Sequence, residues 1–215
     1  MEKVLVVENF RIKHSIEEGL STSPVSKSLL MNILRGTGFY VPKDEAEVDE
    51  NLRQVIPYVV FLSGGKVFVY RRSAKGVEKR LHELYSIGVG GHVNLTDYVN
   101  SINFNLSSCV RSAAYREIEE ELNVVGVSKG SGESLLDSYA TIMGNDQKVD
   151  RVHIGVVFLC KVSEASKKSF LEGGSDHLVD RQWVPLEAIK SSGLNFESWS
   201  QLILKSLEGS DKVSD

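Results

Sequence analysis

Three glutamates near the middle of the chain have the types and spacing of a metal site. Glu117, Glu120 and Glu121 lie at positions i, i+3 and i+4, so on a helix their side chains meet on one face within a turn. Carboxylates at that spacing repel one another unless a cation binds their oxygens. Mg²⁺ prefers carboxylate oxygens and is commonly shared with substrate phosphates. The spacing therefore predicts a divalent-cation site, and the alternative is an acidic face in contact with solvent.

Arg116 directly precedes these glutamates and places a positive charge beside them. It lies three residues before Glu119 and four before Glu120, close enough for a charge-assisted hydrogen bond that orients a carboxylate. The same segment carries an apolar residue at every fourth position, at Val110, Ala114, Ile118 and Leu122. This pattern predicts an amphipathic helix that packs on a sheet and presents the carboxylates on another face.

The segment around this helix resembles the Nudix box. That box is Gly, five residues, Glu, seven residues, and then Arg-Glu-apolar-x-Glu-Glu-x-Gly-apolar. Gly91 matches the opening glycine, and the second half of the box is matched in order by Arg116, Glu117, Ile118, Glu120, Glu121 and Val124. Asn123 replaces the last glycine, and Asn is the next best residue for a left-handed helix cap.

The spacing inside the box departs from the family pattern. Gly91 and Arg116 are 25 positions apart where the box has 14, so eleven residues are inserted before the helix, and Ser108 takes the place of the box Glu when counted back from Arg116. The inserted stretch, residues 94–107, is polar and contains Asp97. We expect a surface loop, because loops accept added length at little entropic cost. The alternatives are a lid that contacts substrate, or a loop that brings Asp97 to the metal in place of the missing Glu.

The resemblance implies a hydrolase that depends on Mg²⁺ or Mn²⁺. Its substrate would be a small-molecule diphosphate in which a nucleoside, or another phosphorylated group, is linked to a second moiety X. In the family pattern, Glu117, Glu120 and Glu121 are catalytic metal ligands, Arg116 orients them, and Gly91 offers a backbone carbonyl to the metal. The general base stays open between Glu117 and an acid from a later loop, and the identity of X stays open as well.

Further side chains are candidates for substrate contact. Arg72 ends a predicted strand, where Nudix proteins commonly carry an arginine near the active site, and the alternative is a solvated basic loop that continues through residues 75–80. His92 directly follows the box glycine, although a single histidine is more often structural. Glu172 and Asp176 lie in a loop where many Nudix enzymes place an acid that assists the metal or activates water, and the alternative is a plain surface loop.

The order of the predicted elements indicates an α/β fold, and the resemblance implies a Nudix-like α/β/α sandwich with a mixed β-sheet. The β-rich runs are residues 4–7, extended through 10–12, and residues 55–62, 66–72, 86–93, 135–143 and 151–162. Residues 182–189 are predicted to form a short strand that runs into the start of a helix. Ser63-Gly64-Gly65 predicts a hairpin turn between two of them, and residues 144–148 a second turn. Helices are predicted at residues 24–35, along the box, and at 197–207, the last burying Leu202, Ile203 and Leu207.

A chain of 215 residues accommodates one full core with an appended piece. The sequence suggests a small N-terminal extension of a strand and a helix at residues 1–53, with a charged connector at 43–51. A Nudix hydrolase domain at residues 54–208 and a flexible tail at 209–215 follow. The extension packs on the main domain or supplies the contact of a homodimer.

The bulk composition narrows the classes of partner. A net charge of −4 argues against binding to nucleic-acid polymers, which usually requires a basic protein. No apolar run reaches the length of a membrane span, and residues 1–8 are too short and too acidic for a secretory signal, so we expect a cytoplasmic protein without a membrane partner. Cys109 and Cys160 fit no metal-ligand spacing and are expected to be buried thiols.

Two functions of other classes remain open. An enzyme like isopentenyl-diphosphate isomerase shares the fold and the histidine after the glycine-rich strand, but that family has a catalytic Cys just ahead of the histidine, where this chain has Gly90 and Gly91. A non-catalytic Nudix-like module that senses a nucleotide is compatible with Ser108 at the box Glu position, although the three retained glutamates argue for catalysis.

Overall fold

A computed structural model describes residues 2–16, 18–73, 82–99, 106–124, 135–144 and 150–208. The basic stretch at 75–80, residues 100–105 of the inserted stretch, the turn expected after Gly144 and the tail lie outside these ranges. The strands are β1 Lys3–Glu8, β2 Gly19–Ser21, β3 Phe39–Pro42, β4 Leu52–Ser63, β5 Lys66–Arg72, β6 Tyr85–Ser86, β7 Gly88–Gly90, β8 Leu136–Met143, β9 His153–Lys161 and β10 Leu178–Pro185. The α-helices are α1 Asn9–Ile12, α2 Pro24–Thr37, α3 Lys43–Ala46, α4 Leu95–Val99, α5 Leu106–Leu122, α6 Lys167–Glu172 and α7 Ser198–Leu207.

The chain forms two compact units. Unit 1 comprises Met1–Tyr58, Gly90–Arg116 and Ser138–Phe158. Its strands follow the order β3-β1-β4-β9-β8-β2, with antiparallel pairs such as Leu5 opposite Tyr40. The apolar run of β1, from Val4 to Val7, is fully buried, which explains why it holds the centre of three strands. Burial on both faces produces the continuous apolar run, in place of an alternating one.

The N-terminal residues differ from the extension that the sequence suggests. Residues 9–12 form α1 and do not prolong β1, and the charged connector contains α3. Strand β1 pairs with β4 through Val6 opposite Gln54, across the boundary expected at residue 53. The first 58 residues therefore share a unit with later segments of the chain.

Unit 2 comprises Val59–Val89, Glu117–Asp137 and Leu159–Asp215. The expected hairpin is confirmed, with Gly64 and Gly65 at φ 51° and 70° between β4 and β5. Strand β10 pairs with β5 in the antiparallel direction. Strand β6 pairs with the C-terminal end of β5. The ring of Phe170 lies 5.0–5.4 Å from the rings of Phe61, Phe68 and Trp183, and these aromatic contacts attach α6 to the strands.

Helix α7 confirms one prediction and corrects another. Glu197 caps its first turn by accepting hydrogen bonds from the N–H groups of Trp199 and Ser200. Ile203 and Leu207 are buried as expected, but Leu202 is 38% exposed and Leu204 is buried in its place. The apolar run at 202–204 is continuous, so periodicity alone did not fix which side faces the core.

The α/β class with a mixed sheet is confirmed. Arg53, near the start of β4, donates to the His153 carbonyl at the start of β9, and the Val162 N–H just after β9 donates to Leu62 near the end of β4. The two strands therefore run in the same direction, whereas β1 pairs antiparallel with β3 and β4, and β5 pairs antiparallel with β4, β6 and β10. Among the described helices, none combines the length and the apolar character needed to cross a membrane.

Candidate functional site

Helix α5 carries the box residues and packs as predicted. The apolar stripe of Val110, Ala114, Ile118 and Leu122 is buried. Asn123 follows the last helical residue at φ 50°, and its N–H donates to the Glu119 carbonyl at 3.0 Å. Asn at this position supplies the left-handed cap that the glycine of the box would otherwise supply.

The backbone of a later loop closes the end of α5 inside unit 2. The Ser175 N–H donates to the Glu121 carbonyl at 2.8 Å. Gly174, at φ 90°, lies so close that a Cβ there would be 2.3 Å from the Glu121 carbonyl oxygen and 2.8 Å from the Leu122 Cα. Only a residue without a side chain fits both the conformation and the space. The loop after α6 is thereby fixed against the helix turn that carries Glu121.

Gly174→Ala should destabilise the protein by about 3 kcal/mol, since a left-handed conformation and overpacking both carry a cost. Gly193→Ala is the matched control in the same unit, because Gly193 has φ 70° but an added Cβ meets nothing within 4 Å. We expect the control to cost about 1–2 kcal/mol. Urea denaturation measures both variants, and equal destabilisation would show that the contact with Glu121 contributes nothing.

The three glutamates share the C-terminal part of α5 and differ in exposure. Glu120 is exposed, whereas Glu117 and Glu121 are half-buried. The Oε2 atom of Glu121 is buried and accepts no hydrogen bond from the described residues. A buried carboxylate oxygen without a donor is costly, and a bound cation would satisfy it. This one oxygen of Glu121 is therefore available to a divalent cation, and the convergence of all three glutamates on one ion stays a prediction.

Two residues that the sequence did not single out lie within electrostatic range of Glu121. Burial lowers the pKa of Arg181, and the negative charge of Glu121 acts in the opposite direction. Complete burial raises the pKa of Tyr70, which the nearby Arg72 opposes. No motif marks Tyr70 or Arg181 in the sequence, because both read as ordinary strand residues.

Arg72 occupies the strand end where it was predicted. Its guanidinium carbon lies 5.6 Å from the centre of the Tyr70 ring, and the side chain is half-buried. Among the charges that shift the pKa of Tyr70, Arg72 acts most strongly, and Glu121 acts more weakly in the opposite direction. Contact between Arg72 and substrate stays a prediction.

Glu172 ends α6 immediately before Gly173 and Gly174. Its carboxylate lies 3.4 Å from the Lys168 ammonium in a pair whose members are both largely exposed. Glu172 and Asp176 line an open surface depression that Arg181 also lines. A role for Glu172 toward substrate or water stays a prediction.

Arg116 makes its closest contacts with the inserted segment. Its Nε and Nη2 donate to the two carboxylate oxygens of Asp97 at 2.9 and 3.0 Å, and Nη2 also donates to the His92 carbonyl at 2.8 Å. Asp97 is 3% exposed and also accepts from the Asn94 N–H at 2.7 Å. Its oxygens therefore accept from Arg116 and from the start of α4. The orientation of Glu119 or Glu120 by Arg116 stays a prediction.

The position of Asp97 also corrects how the box was aligned. It is the sixth residue after Gly91, which is the place of the box Glu when the pattern is counted from its opening glycine. Counting back from Arg116 led to Ser108. The extra residues therefore follow the acidic position, and an acid that pairs with the box arginine is present.

His92 lies beside other residues of unit 1. Burial, followed by the positive charges of Lys43 and the neighbouring His153, lowers the pKa of His92 to about 3, so its imidazole is neutral at neutral pH. Its Nε2 is 3.7 Å from a Glu47 carboxylate oxygen. Gly90, two residues earlier, passes so close to Pro57 that a Cβ would lie 2.1 Å from the carbonyl oxygen. Contact between His92 and substrate stays a prediction.

Comparisons with known proteins agree with this fold. No family model matches the chain. Protein YmaB of Bacillus subtilis is 29% identical over 168 residues, which cover 77% of this chain and 76% of that protein. The crystal structure of "Tm1382, a putative Nudix hydrolase" superimposes with a TM-score of 0.71 and 28% identity, covering 96% of this chain and 98% of that one. A NUDIX hydrolase from Alicyclobacillus acidocaldarius shares the fold at 16% identity and a TM-score of 0.53, over 72% of this chain and 90% of its own.

Proposed function

The chain belongs to the Nudix superfamily of pyrophosphohydrolases, and on that basis we propose that it uses Mg²⁺ or Mn²⁺ to cleave the diphosphate of a nucleoside diphosphate linked to a second moiety X. The observation that supports this proposal is the buried Oε2 of Glu121, which lacks a hydrogen-bond donor among the described residues. It belongs to a carboxylate cluster with Glu117 and Glu120 at the spacing of one helix turn.

The side chains of the cluster have separate tasks in this proposal. Glu117, Glu120 and Glu121 would hold the divalent cation. When bound, the cation supplies positive charge to the diphosphate and lowers the pKa of water. By the family pattern, the Gly91 carbonyl would be an additional oxygen donor for it. The Arg116 guanidinium fixes the segment after Gly91 through the His92 carbonyl.

Substrate contacts come from residues outside the cluster. Arg72 donates charge-assisted hydrogen bonds to a phosphate oxygen. His92 would contact the same substrate through its neutral imidazole. The carboxylate of Glu172 would accept a proton from water if that of Glu117 does not.

A substrate screen tests the proposal. The purified protein is incubated with nucleoside diphosphates linked to sugars, nucleotides or alcohols, with Mg²⁺ or Mn²⁺, and phosphate is measured after phosphatase treatment of the products. We expect turnover that EDTA abolishes. Binding of these compounds without turnover would instead indicate a sensing module, and rearrangement of an allylic diphosphate without hydrolysis would indicate an isomerase.

Arg72→Ala should raise KM by roughly 10–100-fold, because a hydrogen bond from a charged group contributes about 1.5–3 kcal/mol. The melting temperature should change little, since the side chain is half-buried at a strand end and its interaction with the Tyr70 ring is weak. Arg71→Ala is the matched control on the neighbouring position, because Arg71 pairs with Glu83 and Asp180. An unchanged KM in the Arg72 variant would show that Arg72 does not contact the substrate.

A further inference from the structure

A second group of metal-binding side chains lies in unit 1 and shares no residue with the glutamates of α5. Glu47 directly follows α3, His92 follows the box glycine, and His153 begins β9. One ligand atom from each lies within 4.8 Å of the other two, and the Glu47 Oε1 to His92 Nε2 distance is 3.7 Å. Three residues far apart in sequence thus converge at one point.

The distances suit a tetrahedral ion. Ligand atoms bound to Zn²⁺ at about 2.1 Å are roughly 3.4 Å apart, close to the Glu47 to His92 separation. Two imidazoles on one such ion have ring centres roughly 5–6 Å apart, and the rings of His92 and His153 have centres 5.7 Å apart at an interplanar angle of 49°. The ligand atoms, which lie within 4.8 Å of one another, approach the roughly 3.4 Å spacing of a tetrahedral ion through rotation of the side chains.

The backbone of each of these residues is fixed by a hydrogen bond. The His92 carbonyl accepts from Arg116 at 2.8 Å, and the His153 carbonyl accepts from the buried Arg53 at 3.2 Å. The Glu47 N–H donates to the Lys43 carbonyl at 3.0 Å. A site whose ligands are held before binding loses less entropy on binding.

The positively charged side chains near His92 are paired with carboxylates. Lys43 and Arg116 are the positive side chains that act on His92. The Lys43 ammonium lies 3.4 Å from Glu2, and Arg116 pairs with Asp97. Their charges therefore oppose a bound cation less than two isolated cations would.

We propose that Glu47, His92 and His153 bind a transition-metal ion of the Zn²⁺ class. Two imidazoles with one carboxylate select such an ion over Mg²⁺, which prefers an all-oxygen set. Three protein ligands leave the fourth tetrahedral position for water or another small ligand. This site goes beyond the proposed hydrolase activity, because it concerns a different ion and, apart from His92, different side chains.

Co²⁺ titration of the full metal-free chain tests the proposal through the visible absorption of tetrahedral Co²⁺, with Zn²⁺ as competitor. Wild-type protein should bind one equivalent with that spectrum. Glu47→Gln and His153→Asn should each weaken Co²⁺ binding by roughly 100-fold or more. His14→Ala removes an exposed histidine of the same unit and should leave the titration unchanged.

Further measurements distinguish this site from the glutamates of α5. Glu121→Gln should keep the tetrahedral spectrum, and Zn²⁺ should raise the melting temperature of wild type but not of Glu47→Gln. If His153→Asn strongly lowers the melting temperature of the metal-free protein, its loss of Co²⁺ binding could reflect misfolding. The titration of Glu47→Gln then decides the proposal. The proposal is wrong if Glu47→Gln binds Co²⁺ as wild type does, or if Glu121→Gln abolishes the spectrum, which would assign the ion to the α5 glutamates.

Discussion

Glu121→Gln should lower the hydrolysis rate by roughly 10²–10³-fold or more, because it removes a charge that the proposed mechanism needs in the transition state. Because glutamine has nearly the same shape as glutamate, any fall in the rate reflects the loss of the negative charge. Without divalent cation, the variant should melt at the wild-type temperature or slightly above it. Relief of repulsion between carboxylates at helical spacing contributes about 0.2–0.5 kcal/mol per pair. Added Mg²⁺ should then stabilise wild type more than the variant, because a ligand shifts stability only through binding the folded state.

Glu119→Gln is the matched control, since Glu119 lies on the same helix, is exposed, and lies outside the cluster. It should retain activity and its response to Mg²⁺. If Glu121→Gln is clearly less stable without cation and responds to Mg²⁺ as wild type does, Glu121 has a structural role and the metal site lies elsewhere.

Arg116→Ala should destabilise the protein by about 3 kcal/mol, because it leaves the carboxylate of Asp97 buried without its cation. This value is at the lower end for a buried ion pair, since the Arg116 side chain is 24% exposed while that of Asp97 is 4% exposed. Urea denaturation midpoints measure the change. The His92 carbonyl also loses a donor, which adds to the loss.

A double-mutant cycle isolates the ion pair. In the Arg116→Ala background, Asp97→Asn removes the buried charge and should recover part of the lost stability. Arg151→Ala is the surface control, because Arg151 pairs with Glu50 at 3.3 Å with both side chains about half exposed, and it should cost less than about 1 kcal/mol. If Arg116→Ala costs no more than Arg151→Ala, the pair with Asp97 does not stabilise the fold.

The sequence predicted the regular parts of this fold well. Local periodicity and turn residues, which can be read directly in the sequence, predicted helix α5, the hairpin at Gly64 and Gly65, and strands β8 and β9. The left-handed cap at Asn123 followed from the same local reasoning. Such features depend on residues close together in the chain.

The errors arose where contacts are distant in sequence. Asp97 binds Arg116 across nineteen positions, and the length of the intervening segment hid the match when the box was counted from one end only. The close approach of Gly174 to Glu121 and the proximity of His153 to His92 involve still larger separations. Residues 10–12 were expected to extend the first strand, because a run of three residues is too short to show a period, but they lie in α1.

The ion pair between Arg116 and Asp97 has an evolutionary consequence for the segment that it encloses. One end of that segment is tied to the start of α4 and the other to the middle of α5, so its length can change without displacing either end. The entropic cost of closing a longer loop grows by only about 0.6 kcal/mol for each doubling of its length. Insertions and deletions between the end of α4 at Val99 and the start of α5 at Leu106 are therefore available to selection as a source of variation with little effect on stability, while substitution of Asp97 or Arg116 is not.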